Sequence, residues 1–252
     1  MTGAAASQHR VTVDFRGPVA VITLDRPPVN AIDVAMISAL HAAVDEVRAA
    51  APSAVVIGSS SRVFSAGADL KEVLDEASSS ARPANWRAFL HALAEVEVPV
   101  VAAITGPCVG GGVGLITQCD LRLAAPGATF SFPEIKVGRA GGATHARRLL
   151  SEGRVRRMML TGEPIDAHTA LGWGLIDEIV DATPGGCVDA AVRLAGDIAR
   201  NGREVVMLMK RSLDLSERAG PISGYEVEQE FTAEMRDAGL AVDRHAPGSE
   251  AR

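Results

Sequence analysis

Hydrophobic residues recur along the chain in two spacings that alternate with each other. Short runs that are apolar or alternate predict strands, and stretches with apolar residues three and four positions apart predict helices. The predicted strands are Val11–Phe15, Val19–Leu24, Ala54–Gly58, Val98–Ile104, Leu121–Ala124 and Thr129–Ser131. The predicted helices are Val34–Ala50, Arg87–Val96 and Gly110–Cys119, and the chain from Thr144 onward is predicted to be mostly helical. Strands that alternate with helices indicate the α/β fold class.

Two segments interrupt this pattern. The stretch Ala77–Pro83 is small and polar and predicts a mobile loop. The tail Ala241–Arg252 is polar with a Pro-Gly step, and we expect it to be disordered. No linker or internal repeat divides the chain, so the sequence predicts one large domain.

Composition and charge exclude several classes of protein. The chain has 252 residues, is 47% hydrophobic, and carries a net charge of −6. This acidic balance lacks the basic surface of a nucleic-acid or anionic-membrane binder, so an anionic ligand would depend on local cations and backbone amides. The longest apolar run is too short to span a bilayer, and the first ten residues do not resemble a signal peptide. We therefore expect a soluble, cytoplasmic protein that binds neither nucleic acid nor membrane.

The cysteines, histidines and glycines do not match a known metal or nucleotide motif. Cys108, Cys119 and Cys187 form no CxxC pair, and an odd number argues against a disulfide framework. The six histidines are scattered, so each is expected to be a surface or hydrogen-bonded side chain and not a ligand. The cluster Gly110–Gly114 fits neither the dinucleotide-binding pattern nor a Walker loop. We expect no metal ion.

Three segments at the ends of predicted strands are not explained by packing alone. In Phe64–Lys71, small residues let a ligand approach the backbone, and Asp69 is placed to begin a helix. In Gly106–Gly114, successive glycines open a helix and leave its first amides unpaired. In Phe130–Ile135, Glu134 has apolar neighbours that would raise its pKa toward that of a general base.

Each segment taken alone has a simpler interpretation. A glycine-rich turn is often close packing, a glutamate after proline is often a solvated loop residue, and the turn at Ser65–Asp69 could be a plain cap. All three occur in order at strand ends, where α/β proteins place ligands, and this favours a ligand site.

Together the segments resemble those of the crotonase family, the enoyl-CoA hydratase/isomerase superfamily. The matching stretches cover nearly the whole chain and read LDRPPVNAID, VFSAGADLKEV, GPCVGGGVGLITQCDLRLA, FSFPEIKVG and MLTGEPIDAHTALGWGLIDEIV. The resemblance implies a crotonase (ClpP/crotonase-like) fold, which is a spiral of repeated ββα units. It implies a core over residues 1–200 and a C-terminal helical trimerisation region of the same domain over residues 201–252. We accordingly expect a homotrimer or a dimer of trimers.

The resemblance also assigns catalytic roles. It implies that the N–H groups of Ala68 and Gly111 hold the carbonyl oxygen of an acyl-CoA thioester and stabilise its enolate. Glu134 takes the position of a catalytic acid or base, whereas the family's second such position falls on Gly114, which has no carboxylate. With one carboxylate, double-bond isomerisation by a proton shuttle is the simpler chemistry, and hydration through Glu134 alone stays open. A homologue that binds CoA esters without catalysis is the alternative from another class.

The substrate of this family includes coenzyme A, so no separate cofactor is expected. The resemblance places backbone groups around Ala66, Ala68 and Leu70 at the nucleotide. Local cations would then contact its phosphates, although a lysine on the late helix Arg203–Glu217 is more often a solvated charge. The candidate substrate-binding residues are Ala66, Leu70, Gly114, Arg26, Lys71 and Lys210.

One loop departs from the family's pattern. Many relatives have a Pro-Gly step in the stretch that corresponds to Val137–Thr144, and this chain keeps the glycines but has no proline there. The resemblance places this loop at the acyl pocket, so we expect an unusual choice of substrate. Arg139 and His145 flank the loop; we expect surface positions for both, with contact to substrate as the alternative.

Overall fold

The computed structural model describes residues 10–73, 75–180, 186–219 and 221–240, and these residues form two sheets covered by helices. The strands are β1 (Val11–Arg16), β2 (Val19–Leu24), β3 (Ala54–Ser59), β4 (Val100–Ile104), β5 (Cys108–Val109), β6 (Leu121–Ala124), β7 (Thr129–Ser131), β8 (Ile165–Asp166) and β9 (Glu178–Ile179). The helices are α1 (Val34–Ala50), α2 (Glu76–Ala94), α3 (Gly111–Ile116), α4 (Ala143–Ala146), α5 (Glu152–Thr161), α6 (Ala167–Trp173), α7 (Gly186–Ala199), α8 (Arg203–Ala219) and α9 (Pro221–Asp237), with a 3-10 helix at Pro133–Val137. The predicted α/β class is confirmed.

The larger sheet has the strand order β1-β2-β3-β4-β6-β9. Only β1 and β2 pair antiparallel, and the other neighbours are parallel. Strands β3 and β4 are buried at every position, as expected for parallel strands covered on both faces. Two of the three segments singled out in the sequence follow these strands: Phe64–Lys71 comes after β3, and Gly106–Gly114 comes after β4. The small sheet β5-β7-β8 lies just beyond and carries the third segment after β7.

Two helices cover the faces of the larger sheet. Helix α1 begins at the N-cap Asp33, whose carboxylate accepts a hydrogen bond of 2.7 Å from the amide of Met36. Its apolar side chains, spaced three and four residues apart, are buried in the main core on one face. Helix α7 buries Cys187, Ala191 and Ala195 in a smaller core on the opposite face. The two cores hold the central strands, and the site loops after them, in fixed positions.

The prediction of a mobile loop over Ala77–Pro83 is wrong. This stretch belongs to α2, which begins after the N-cap Asp75, whose carboxylate accepts a hydrogen bond of 2.7 Å from the amide of Ser78. Proline is tolerated inside this helix because later residues of α2, including Phe89 and Leu93, are anchored in the core. The helix predicted over Arg87–Val96 is therefore only the second half of a longer one.

Other boundaries also differ from the predictions. Asp69 begins no helix; its carboxylate instead accepts a hydrogen bond of 2.9 Å from the amide of Lys71 and pairs with Arg26. Helix α3 ends at Ile116, before the predicted end at Cys119. The predicted disorder of the tail Ala241–Arg252 concerns residues outside the described part of the chain. Among the described residues, no helix is long and apolar enough to cross a membrane.

Candidate active site

Three loops that are distant in sequence lie side by side at the carboxyl ends of β3 and β4. The amide of Ile32 donates a hydrogen bond of 2.7 Å to the carbonyl of Gly67, and the carbonyl of Ile32 accepts one of 2.9 Å from the amide of Asp69. On the other side, the amide of Val109 donates a bond of 2.9 Å to the carbonyl of Ser65. The segment around Gly67 is thereby fixed between the loop before α1 and the loop before α3.

Gly67 brings the second and third of these loops into close contact. Its φ is +76°, and a β-carbon built on it would lie 2.7 Å from the carbonyl oxygen of Val109 and 3.4 Å from the amide nitrogen of Gly111. Only glycine fits this conformation and this gap without strain. The backbone at Gly67 and Ala68 therefore lies against the first residue of α3.

Two backbone amides in this contact have no protein acceptor. The N–H groups of Ala68 and Gly111 donate to none of the residues described by the structure. Both residues line one cavity of about 590 Å³. Both amides are therefore free to donate to an oxygen that the protein does not itself supply.

Glu134 faces the same cavity from the 3-10 helix after β7. The amide of Gly110 donates a hydrogen bond of 2.9 Å to the carbonyl of Ser131, which holds the two loops together. The Oε2 atom of Glu134 is buried and finds no hydrogen-bond partner among the described residues. Burial raises the pKa of Glu134 above its ordinary value because the charged form loses hydration. The result is a carboxylate prepared to accept a proton.

The position of the missing second carboxylate is open space. Gly114 lies in α3 and lines the cavity, and a β-carbon built on it would have no atom within 4 Å. The absence of a side chain at Gly114 is therefore not caused by packing. It leaves room within the cavity on the same helix as Gly111.

Helix α2 forms the wall opposite these loops. The guanidinium of Arg82 donates a hydrogen bond of 2.5 Å to the carbonyl of Ile32 and lies 3.2 Å from Oε2 of Glu72. The other oxygen of Glu72 accepts a bond of 2.9 Å from the amide of Val34. The indole of Trp86 packs toward Gly111, where a built β-carbon would lie 3.5 Å from it. These contacts hold α2 in place beside the cavity.

Comparison with known proteins identifies the family of this chain. The sequence matches the family model for enoyl-CoA hydratase/isomerase over residues 14–238. The chain belongs to this family. The resemblance noted in the sequence is therefore confirmed.

Relatives within the family carry different names. The chain is 36% identical, over 90% of its length and 92% of the relative's, to the (7aS)-7a-methyl-1,5-dioxo-2,3,5,6,7,7a-hexahydro-1H-indene-carboxyl-CoA hydrolase of Mycobacterium tuberculosis. It is 30% identical, over 94% of its length and 96% of the relative's, to a protein of Mycobacterium leprae named as a probable enoyl-CoA hydratase. Among solved structures, DspI of Pseudomonas aeruginosa superimposes with a TM-score of 0.84 at 30% identity, covering 94% of this chain and 100% of that one.

The loop that departs from the crotonase pattern also reaches the cavity. The amide of Arg139 donates a hydrogen bond of 2.9 Å to the carbonyl of Glu134, and Arg139 lines the cavity from an exposed position. His145 is half-buried, lines the cavity, and has its Nδ1 atom 3.1 Å from Nε2 of Gln118. Burial lowers the pKa of His145, so its imidazole is neutral at pH 7.

The structure does not bring all the predicted substrate-binding residues to the cavity. Ala68, Gly111, Gly114 and Glu134 line it together, whereas Ala66, Leu70, Lys71, Arg26 and Lys210 do not. Leu70 and Lys71 are exposed on the segment that follows Ala68. The amide of Ala66 already donates a hydrogen bond of 2.9 Å to the carbonyl of Val29, which leaves only its carbonyl for a ligand.

The two other candidate cations are held by carboxylates of the protein. Arg26 pairs with Asp69 at 2.7 Å and with Asp33 at 3.2 Å. Lys210 is buried and pairs with Asp120 at 2.7 Å, and it lines a separate cavity of about 890 Å³ next to α8. Within this chain, Lys210 does not line the cavity around Glu134.

Two residues of the cavity wall were not found from the sequence. Arg82 and Trp86 both lie in α2. Arg82 is within the stretch predicted to be a loop and Trp86 follows it, so the predicted elements did not place either residue at the site. The apolar side chains of Trp86, Phe89 and Leu93, spaced three and four residues apart, are the signal that could have extended the predicted helix backward.

Proposed function

We propose that this chain catalyses proton transfer on an acyl-CoA thioester, with Glu134 as its acid and base. One observation carries the proposal. Two backbone amides without acceptors, those of Ala68 and Gly111, and one buried carboxylate without a hydrogen-bond partner line the same cavity. A thioester carbonyl between the two amides would place its neighbouring carbon close to the carboxylate.

The chemistry follows from where charge develops. Removal of the proton next to a thioester carbonyl gives an enolate, whose negative charge collects on the carbonyl oxygen. Two preoriented N–H donors stabilise that charge, and loss of one such donor costs about 3–4 kcal/mol of barrier. The raised pKa of Glu134 brings its basicity nearer to working pH, which favours both removal and return of a proton.

The single carboxylate favours isomerisation. Glu134 takes a proton from one carbon of the acyl chain, the double bond moves, and the same carboxyl returns a proton to another carbon. Atoms and charge balance without a water molecule or a second acid. The open space at Gly114 supports this assignment, because no other carboxylate lies on that face of α3.

Addition of water is the second candidate, and a specific observation favours it. One relative is named as a CoA hydrolase and another as an enoyl-CoA hydratase, and both activities consume water. A β-carbon built on Gly114 would have no atom within 4 Å. A water molecule in that space would lie in the cavity that Glu134 faces. Reaction in water labelled with oxygen-18 separates the candidates: isomerisation leaves the product unlabelled, whereas hydration or hydrolysis incorporates the label.

Exchange of the α-proton in D2O tests enolate formation whatever the product. We expect the wild-type protein to exchange the α-protons of a saturated acyl-CoA, and Glu134→Gln to lose exchange while it still binds the ester. Glu163→Gln is a matched control, since Glu163 is exposed and pairs with Lys136 on the surface. Exchange that survives in Glu134→Gln would remove Glu134 from the mechanism. Binding without exchange in the wild type would favour the non-catalytic CoA-ester-binding homologue.

A further inference from the structure

The cavity that Glu134 lines also has polar lining residues that the proposed proton transfer does not use. These residues are Arg139 and His145, with the glycine-rich turn between them. Gly142 in that turn is packed on the ring of Phe132, where a built β-carbon would lie 2.7 Å from the ring. The turn is thereby fixed next to the loop that carries Glu134.

The side chain of Arg139 is exposed and its guanidinium is unpaired within the part of the chain that the structure describes. It makes no ion pair and no side-chain hydrogen bond with any residue inside the described ranges. Arg82, in contrast, lines the same cavity and is neutralised by Glu72. Arg87 also lines the cavity and makes no ion pair among the described residues, but it comes from α2, whereas Arg139 lies on the loop that follows Glu134.

His145 adds an oriented donor to the same cavity. The Nε2 amide of Gln118 donates toward Nδ1 of His145 at 3.1 Å, so in the neutral ring the proton is assigned to Nε2. Burial keeps this ring neutral by lowering its pKa. Its Nε2–H has no acceptor among the described residues, and the side chain lines the cavity.

The α2 side of the cavity presents the indole of Trp86 together with two arginines, Arg82, which pairs with Glu72, and Arg87, which makes no ion pair among the described residues. Ile37 and Trp86 line the cavity from α1 and α2, and Gly114 contributes no side chain. An acyl group here would have an apolar face toward Trp86 and two unpaired donors on its other side. Leaving donors unpaired against an apolar ligand is costly, whereas an acceptor oxygen satisfies them.

We infer that the acyl group of the substrate carries an acceptor oxygen, as a carboxylate or a ketone, that Arg139 and His145 bind on the side of the cavity away from the thioester. This inference rests on the proposed function, because it takes the thioester to lie at Ala68 and Gly111. It makes Arg139 a specificity-determining residue with no part in proton transfer.

Calorimetric titration with three CoA esters of equal chain length tests this inference. The ligands are hexanoyl-CoA, 5-oxohexanoyl-CoA, which ends in a methyl ketone, and adipoyl-CoA, which ends in a free carboxylate. We expect the wild type to bind at least one oxygenated ester about 10-fold more tightly than hexanoyl-CoA, since a charge-assisted hydrogen bond is worth about this factor. Arg139→Gln should abolish the preference and leave the Kd of hexanoyl-CoA unchanged, whereas Arg139→Lys should keep part of the preference for adipoyl-CoA.

Arg156→Gln is the matched control, because Arg156 is exposed on α5 and pairs with Glu152 outside the cavity. It should retain the full preference of the wild type. Equal affinity of the wild type for all three esters would overturn the inference. So would an Arg139→Gln variant that weakens hexanoyl-CoA as much as the others, because Arg139 would then bind the phosphates of CoA.

The titration and the α-proton exchange assay together separate failure of the inference from failure of the proposed function. A preference for the oxygenated esters without α-proton exchange would overturn the proton-transfer function and leave the specificity role of Arg139 standing. Exchange of the α-proton without a preference for the oxygenated esters would overturn the inference and leave the proton-transfer function standing. No binding of any ester would overturn both.

Discussion

The carboxylate of Glu134 lies directly against the backbone of Gly110. A β-carbon built on Gly110 would be 2.6 Å from Oε1 of Glu134, and the φ of Gly110 is +51°. No other amino acid could occupy this position without displacing the carboxylate or the turn that leads into α3. The identity of residue 110 therefore sets where the proposed base can be.

Substitution of Gly110 should impair catalysis more than folding. In Gly110→Ala the added methyl group pushes the Glu134 carboxylate away from the substrate carbon, and a displacement of about 1 Å costs about 100-fold in rate. We expect α-proton exchange to fall by that order while the circular dichroism spectrum is retained. Gly127→Ala is the control, because a β-carbon there meets no atom within 4 Å. Wild-type exchange in Gly110→Ala would show that Glu134 need not lie where the structure places it.

The rate of exchange should depend on the protonation of Glu134. Burial raises the pKa of this carboxyl, and only its ionised form can accept the α-proton. We expect kcat for exchange to rise with pH through an apparent pKa above that of an ordinary glutamate. A rate profile flat across the acidic range would contradict the assignment of Glu134 as the base.

The same pKa shift should appear in stability. Because the folded-state pKa of Glu134 is above the unfolded value, the folded protein binds this proton more tightly. The resulting stabilisation is full below the ordinary pKa of glutamate and is lost as pH rises through the folded value. We expect Glu134→Gln to unfold at a higher urea concentration than the wild type at neutral pH, with a smaller gain at low pH. An increase in the urea midpoint that is the same at neutral and low pH would contradict a raised pKa of Glu134 in the folded protein.

Two glycines of α3 should respond in opposite ways to alanine. Gly114→Ala adds a methyl group to open space and should stabilise the protein by about 0.5–1 kcal/mol through helix propensity. In Gly112→Ala the new methyl group would lie 2.9 Å from Cβ of Ser65, and such overpacking should destabilise by about 1–3 kcal/mol. Urea unfolding of the two variants measures both effects, and a destabilised Gly114→Ala would show that the space beside it is filled.

Lys210 should matter for stability and not for the site. It pairs with Asp120 at 2.7 Å and donates to the carbonyl of Val98, with only 7% of its side chain exposed. Its removal in Lys210→Ala leaves Asp120 without a cation and should cost about 3 kcal/mol. Lys136→Ala removes an exposed pair with Glu163 and should cost less than about 1 kcal/mol. Equal unfolding midpoints for the two variants would contradict the structural role of Lys210.

The sequence predicted the parts of the site that local chemistry marks. Gly110, Gly111 and Glu134 follow buried strands, and packing alone does not explain the composition of the segments to which they belong. The order of the strands and helices around them was also correct up to β7, apart from the two-residue strand β5, because these elements have clear apolar spacing. Strands of two residues, such as β8 and β9, are too short to show any period.

What the sequence missed depends on contacts between distant residues. Lys210 and Asp120 are 90 positions apart, so nothing near Lys210 marks it as buried and paired. Arg26 is likewise neutralised by Asp69, which is 43 positions away. The first half of α2 is polar and small, and it is helical because the second half is anchored in the core and Arg82 is fastened to Ile32. Local propensity carries no trace of such tertiary contacts.

A crystal structure of Glu134→Gln with a bound acyl-CoA tests the central claim most directly. We expect the thioester oxygen to lie about 2.7–3.1 Å from the backbone nitrogens of both Ala68 and Gly111, with the α-carbon next to the side chain at position 134. A thioester bound elsewhere, or an oxygen in contact with only one of the two nitrogens, would contradict the account.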